Sequence, residues 1–255
     1  MDLRLMFNED VANYDRMRPT YVKALYDNII QFSNLNSSKT ALEIGIGTGQ
    51  ATMPFLQTGC TLEAIELGED MAAFVKHKFA NHKNFNVTNA DFGDVSLHAN
   101  NYDLIYSATA FHWIPQEIGY PKTFDLLKTG GTLALFWNHP YPGEGELYNK
   151  TQEIYSRYQT GIKPTVHKFS EDTCLGIVET IHKYGFIDIE YKIYRGTRVF
   201  NAQQYMSLLN TYSDHRARES ESRQLLEAEL TDVINQYGGT MEIQDTMDLY
   251  LAKKP

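Results

Sequence analysis

Ala41-Leu42-Glu43-Ile44-Gly45-Ile46-Gly47-Thr48-Gly49-Gln50-Ala51-Thr52 is the stretch whose reading decides the fold. A short apolar run leads directly into three glycines at alternate positions, the composition of a strand that turns sharply into a helix. Without a Cβ, glycine takes backbone angles closed to other residues and lets a ligand approach the main chain, so this loop is expected to bring something polar against backbone amides. A dinucleotide fingerprint would need a third glycine three residues after Gly47, where Gln50 stands, with Gly49 one place early. No Gly-Lys-Ser/Thr follows, so the Walker phosphate loop is absent as well. Taken alone, the glycines also suit a tight turn that holds no ligand.

Outward from the loop, Thr40–Ile44 reads as the first strand and residues 50–57 as the helix after it, with Pro54 in its first turn. Further strands are expected at Thr61–Glu66, Phe85–Thr88, Tyr102–Ser107 and Thr132–Trp137. Helices fall between them: one begins at Gly68-Glu69-Asp70, another runs from Pro115 towards Lys128, and Thr129-Gly130-Gly131 is expected to stop the second. Strands alternating with helices at this spacing indicate a parallel, doubly wound sheet. Upstream, apolar residues recur at three and four between Asn8 and Phe32, with Pro19 dividing two helices. Downstream, His139-Pro140-Tyr141-Pro142-Gly143 reads as a turn, followed by a helical insertion up to Ser170 and a helix over Glu171–Tyr184. A strand over Ile187–Val199, helices over Asn201–Thr211 and Arg216–Gln236, and a last strand over Thr240–Ala252 complete the chain.

At 255 residues, 42% hydrophobic and 22% charged, the composition is that of an ordinary globular chain able to bury a full core. The net charge of -9 argues against nucleic acid or anionic membrane as a general partner, because both require a basic face. No stretch approaches bilayer-spanning length, and the first twenty residues hold Asp2, Arg4, Glu9, Asp10, Asp15, Arg16 and Arg18 in place of an apolar signal core. Cys60 and Cys174 lie far apart, without metal-ligand spacing; no metal is expected, and a reducing cytoplasmic location is.

In an open parallel sheet, ligands sit at the carboxyl ends of the strands near the switch point. Those ends hold Gly45–Gly49, Glu66, Asp91-Phe92 and the residues from Ser107 to Trp113. An acid closing the second strand, about twenty positions after the first glycine, can accept hydrogen bonds from both ribose hydroxyls. Glu66 has that position, while Glu69 and Asp70 already serve the following helix N-terminus. Asp91 can accept from an adenine amino group, with the ring or main-chain amide of Phe92 against the base; alone, the pair reads as a turn.

On these residues the chain resembles the class I S-adenosylmethionine-dependent methyltransferases. Leu42–Gly49 is similar to their first motif, Glu66 to the ribose acid, Asp91-Phe92 to the adenine motif and Tyr102-Asp103-Leu104-Ile105 to the fourth-strand motif. Tyr14-Asp15-Arg16-Met17-Arg18-Pro19 and Ala110-Phe111-His112-Trp113 resemble the trans-aconitate methyltransferase branch and related small-molecule enzymes. The resemblance implies a Rossmann-like seven-stranded α/β sheet, mostly parallel with an antiparallel last strand. It implies one methyltransferase domain, with N-terminal lid helices (1–36), a cofactor core (37–138) and helical insertions (139–170 and 200–237) forming the acceptor side. The cofactor would be S-adenosylmethionine, leaving S-adenosylhomocysteine, held by Arg18, Glu43, Gly45, Gly47, Thr48, Gly49, Gln50, Glu66, Asp91, Phe92 and Ser107. In this reading Glu43, where the family often has aspartate, orders the loop near the methionine amino group, and Arg18 faces the methionine carboxylate. Tyr14, His112 and Trp113 would stand at the reacting groups.

The expected partner is a small-molecule methyl acceptor, with no nucleic acid and no membrane, the chain being a monomer or homodimer. Oxygen methylation of a carboxylate or hydroxyl is the leading expectation, carbon methylation of a quinone-like ring the alternative. Base methylation is disfavoured because Ser107-Ala108-Thr109-Ala110 replaces the Asn/Asp-Pro-Pro-Tyr run. A nicotinamide oxidoreductase and a non-catalytic cofactor-binding protein remain the other readings.

Overall fold

The computed structural model describes residues 10–158 and 169–255. The chain divides into two compact units, one of residues 19–138, 170–194 and 247–255, the other of residues 1–18, 139–169 and 195–246.

The sheet consists of strands β1 (Thr40–Ile44), β2 (Thr61–Glu66), β3 (Phe85–Asn89), β4 (Tyr102–Ala108), β5 (Leu127–Tyr141), β6 (Ile187–Asn201) and β7 (Thr240–Lys253), in the order β3-β2-β1-β4-β5-β7-β6; β1 to β4 lie wholly in the first unit. The first five pair in parallel and the last two complete the sheet as antiparallel strands. Strand order reverses between β1 and β4, which makes the carboxyl ends of those two strands the switch point. β1 and β4 are buried almost throughout, the signature of strands covered on both faces, and this is why they read as continuous apolar runs.

One face is covered by α2 (Lys23–Ser33), α3 (Thr52–Leu56) and α4 (Glu69–Lys78), whose Leu25, Ile29, Phe55, Val75 and Phe79 pack on Ala41, Leu62, Tyr106 and Phe136. Removing a ring such as Phe55 from such a core costs about 3–5 kcal/mol. The same unit carries a 3-10 turn (Phe111–Trp113), α5 (Gln116–Leu126) and α7 (Asp172–Lys183).

The second unit contains α1 (Val11–Met17), α6 (Glu146–Arg157), α8 (Ala202–Leu209), α9 (Ser213–Arg216) and α10 (Ser220–Gln236). Its own core joins Met17, Ile154, Met206, Leu208, Leu226, Leu230 and Ile234. Asp10 caps α1 by accepting from the Asn13 amide, and Asn201 with Gln204 forms a reciprocal capping box on α8.

Three boundaries differ from those expected. Thr129-Gly130-Gly131 does not stop a helix: α5 ends at Leu126, and the glycines form a bulge inside β5. Tyr102 pairs with Leu127 and Leu104 with Thr132, so β5 carries the extra residues and Gly130 takes φ +76°. β5 then runs through His139 and Pro140 to Tyr141 where a turn was expected. The helix read over Arg216–Gln236 is two, α9 and α10, with Ala217–Glu219 between them. Part of the insertion up to Ser170 lies outside the described residues.

Candidate active site

Gly45, Gly47 and Gly49 all adopt left-handed backbone angles (φ +70°, +58° and +83°), which only glycine takes without strain. Close packing adds a second reason at two of them. A Cβ on Gly45 would lie 2.5 Å from the Cβ of Ala110, and one on Gly49 would lie 2.6 Å from the Phe79 ring. The expectation that the loop offers its amides to a ligand is corrected by where those amides point. Gly45 and Ile46 donate to the Ile65 carbonyl (2.9 and 3.3 Å), Gly49 to the Ile46 carbonyl (2.9 Å) and Gly47 to a Glu66 carboxylate oxygen (2.8 Å). With these four amides turned inward, the loop is less suited to cradle a pyrophosphate, which weakens the dinucleotide reading.

Glu66 closes β2 with 8% of its surface exposed. One carboxylate oxygen accepts from Gly47 and the other from the Gly68 amide (2.9 Å), so the side chain is clamped between the glycine loop and the start of α4. Burial pushes its pKa up, and the backbone amides of Gly68, Gly47 and Leu67 hold it back. Glu43 is buried on β1 and accepts from the hydroxyls of Thr52 and Tyr106, both at 2.7 Å. Desolvation raises its carboxyl to about 8, against the pull of those two hydroxyls. Thr48 is fully buried; its carbonyl accepts from the Lys78 ammonium (2.9 Å) and its hydroxyl from the Gln50 amide.

Asp91 forms a turn after β3, accepting from the Gly93 amide (2.8 Å). Phe92 is buried with the Lys122 ammonium 5.1 Å from its ring centroid, and Lys122 also donates to the carbonyls of Gly93 (3.0 Å) and Val95 (2.6 Å). The ring of Phe92 is therefore packing, which leaves its main chain for any contact with a base. Ser107, at the switch point, is fully buried and donates to the Ile44 carbonyl (2.8 Å); it ties β4 to β1.

Beyond β4 the chain passes through Thr109, at φ +54°, into the 3-10 turn. Thr109 is held from three sides: its amide donates to the Phe136 carbonyl, its hydroxyl bonds the Tyr21 hydroxyl (2.6 Å), and it accepts from the Asn138 amide (3.2 Å). A β-branched residue at positive φ is costly and persists only where its surroundings over-determine it. Phe111 is buried against Tyr120, while His112 is exposed with its ring 5.1 Å from that of Trp113. The Trp137 indole N–H donates to His112 Nδ1 at 3.0 Å.

Tyr14 and Arg18 belong to the helical unit. The Arg18 guanidinium donates to the Thr211 carbonyl (2.7 Å) and lies 4.9 Å from the Tyr14 ring centroid and 4.4 Å from that of Tyr212.

Four supports escaped the sequence: Lys78 on Thr48, Tyr21 on Thr109, Trp137 on His112, and Asn89, whose side-chain amide donates to the carbonyls of Glu66 and Leu67 (2.9 Å each). Asn89 carried a signal, since it stands directly opposite Glu66 at the end of the neighbouring strand. The other three depend on contacts between distant segments.

The geometry suits an adenosyl ligand. A buried carboxylate clamped at the end of β2 beside the glycine loop suits vicinal hydroxyls, and the Gly45, Ile46, Gly47 and Gly49 amides are turned inward, away from any phosphate. A family model described as a methyltransferase domain matches residues 41–131. Among curated proteins, an uncharacterized methyltransferase of Schizosaccharomyces pombe is 23% identical over 89% of this chain and 86% of its own length. Saccharomyces cerevisiae "Probable S-adenosylmethionine-dependent methyltransferase CRG1" is 26% identical over 59% of this chain and 52% of its own. Among solved structures, Haemonchus contortus phosphoethanolamine N-methyltransferase 2, in complex with phosphomonomethylethanolamine and S-adenosylhomocysteine, superposes with a TM-score of 0.59 at 14% identity. That likeness, over 100% of this chain and 60% of the other, speaks for the fold. Residues 41–131 are thus a methyltransferase domain of the S-adenosylmethionine-dependent type, and S-adenosylmethionine is the cofactor that the site and the relatives support.

Proposed function

We propose that the enzyme transfers the methyl group to an oxygen of a small molecule, a carboxylate or a hydroxyl. The observation that carries this reading is the loop after β4. Ala110 packs directly on Gly45, so the turn bearing His112 and Trp113 starts at the glycine loop, where the switch point directs a ligand. A polar imidazole beside an indole suits a small acceptor with an oxygen to be oriented and an apolar body to be covered.

When bound, the cofactor supplies a methyl group on an activated sulfonium. In our reading Glu66 holds the ribose hydroxyls, the Gly45–Gln50 loop and Glu43 lie along the methionine part, and Asp91 with the Phe92 main chain meets the adenine. Ser107 acts as a positioning residue through Ile44. The protein's task is then alignment and exclusion of water, and alignment of this kind supplies roughly 7–11 kcal/mol at best. Trp113 favours sulfonium charge by about 0.5–2 kcal/mol if it faces it.

Carbon methylation of a quinone-like ring is the second reading, favoured by the rings of Trp137, Tyr191 and Tyr250, which pack one against the next. The deciding experiment measures S-adenosylhomocysteine release over a panel of small carboxylates, phenols, alcohols and quinones. Release with carboxylates or hydroxyl compounds and none with quinones is the expected result; release with quinones alone would replace oxygen by carbon as the acceptor atom.

A further inference from the structure

A sheet of this order has two edges, and they differ in kind. β3 leaves an edge of five residues, whereas β6 leaves one of fifteen, Ile187–Asn201. An edge strand holds a row of main-chain donors and acceptors ready to pair with another strand, and proteins blunt such edges by keeping them short, kinked or charged. β6 is kinked only at its start, where Asp188 takes φ +51°, so its regular pleat begins at Ile189. Among the described residues, no main-chain hydrogen bond from a loop or helix reaches it.

Charge is divided along this strand. Asp188 and Glu190 lie in its first part, Arg195 and Arg198 in its second. Laid antiparallel against itself, such a strand brings acid to base at both ends of the pairing; laid parallel, it brings acid to acid and base to base. The antiparallel sense is therefore the one that charge permits.

We infer that β6 is an association edge for a second copy of this chain, the two β6 strands pairing antiparallel about a two-fold axis at Tyr194 and joining their sheets into one. An axis normal to the sheet keeps each face of the strand on its own side, so opposed residues differ by an even number of positions. Ile189 then stands against Val199 of the second copy, Glu190 against Arg198 and Tyr191 against Thr197. These are β-branched, opposite-charge and aromatic pairs of the kind that stabilise antiparallel neighbours. Tyr191 and Val199 are large and exposed in the single chain (39% and 60%), and the pairing covers them. Lys192 is the residue type that commonly guards an edge, but its ammonium is turned to Asn28 and Glu190 of its own chain. Opposite it stands Gly196, with no side chain to repel. Main-chain hydrogen bonds supply the attachment, and the side-chain pairs fix its sense and register.

Sedimentation velocity of the full chain over a concentration series should show a monomer–dimer equilibrium. Glu190→Lys and Val199→Lys, both at exposed positions, should leave the melting temperature of the monomer unchanged. Each should raise the dimer dissociation constant about tenfold or more, because by symmetry every substitution is felt twice. The chain carries a net charge of -9, so an added lysine lowers the overall repulsion between copies, and a weaker dimer reports the local pairing. Register is read by oxidation. Tyr191→Cys with Thr197→Cys in one chain should give a disulfide-linked dimer, and either substitution alone should not, Cys60 and Cys174 being buried. A monomer at every concentration, or a dimer indifferent to both lysine variants, overturns the inference. Single cysteines that link as readily as the pair would replace the antiparallel arrangement by a parallel one and overturn it as well.

Discussion

Glu66 joins three elements through one carboxylate: it ends β2, receives Gly47 from the loop and receives Gly68 at the start of α4. Glu66→Ala leaves those two amides without their acceptor, at a cost of about 1–3 kcal/mol each where they stay dry. Glu66→Gln keeps one carbonyl oxygen and separates binding from folding. Calorimetry should show S-adenosylmethionine affinity reduced about tenfold or more in the glutamine variant, by the loss of a charge-assisted contact. Unchanged affinity would remove Glu66 from the site.

Glu43 makes a prediction of the opposite kind, because its carboxyl is raised to about 8 by burial against an ordinary 4.5. Between those values the folded state holds a proton that the unfolded state has released. Stability contributed by Glu43 is therefore complete below the unfolded value, falls as pH rises towards the folded one and is flat above it. Glu43→Gln keeps a carbonyl oxygen for Thr52 and Tyr106 and removes this titration. Denaturant unfolding at about pH 5 and about pH 8 should show a smaller loss of stability in the variant than in the wild type. An equal loss in both would show that the carboxyl titrates at its ordinary value.

At the scale of elements, the glycine loop is a joint between β1, the loop after β4 and α4. Gly49→Ala meets two obstacles, the left-handed angle of +83° and the Phe79 ring 2.6 Å from the new Cβ. Together these should cost about 2–4 kcal/mol in denaturant unfolding and weaken cofactor binding by moving the loop. Phe79→Leu in the same chain should return part of the stability, by relieving the clash, and leave the backbone cost. No recovery would assign the whole cost to the backbone angle.

Such elements differ in how much of them the sequence makes legible. The bounds of β1 and β2, Thr40–Ile44 and Thr61–Glu66, follow from apolar runs closed by glycine or acid. The bulge at Thr129–Gly131 was misread because a helix stop and a bulge use the same glycine chemistry, and only pairing with Tyr102 and Lys254 tells them apart. Gly45, Glu66, Asp91 and His112 entered the candidate site because topology assigns strand ends a role. The direction of the loop amides was not legible, since it depends on where Ile65 and Glu66 stand across the sheet. Phe92 and Ser107 were named as ligands from position alone, and burial gives their side chains packing and strand-tying tasks instead.

At the scale of the molecule, the family match over residues 41–131 falls inside the sheet unit, where the residues proposed to hold the cofactor lie, apart from Arg18. The helical unit has its own core and its own half-buried ion pair, Arg198 with Asp245, and the relatives' names carry no acceptor chemistry for it. No helix among the described residues is long and apolar enough to cross a membrane. We propose that this chain moves the methyl group of S-adenosylmethionine to the oxygen of a small molecule through a site hung on Glu66. The most direct measurement is transfer of labelled methyl from S-adenosylmethionine to the carboxylate and alcohol panel, run in parallel on the wild type and Glu66→Ala. Labelled ester formed by the wild type and lost in the variant is the predicted result. Label reaching none of the oxygen acceptors, or an undiminished yield with Glu66→Ala, would contradict it.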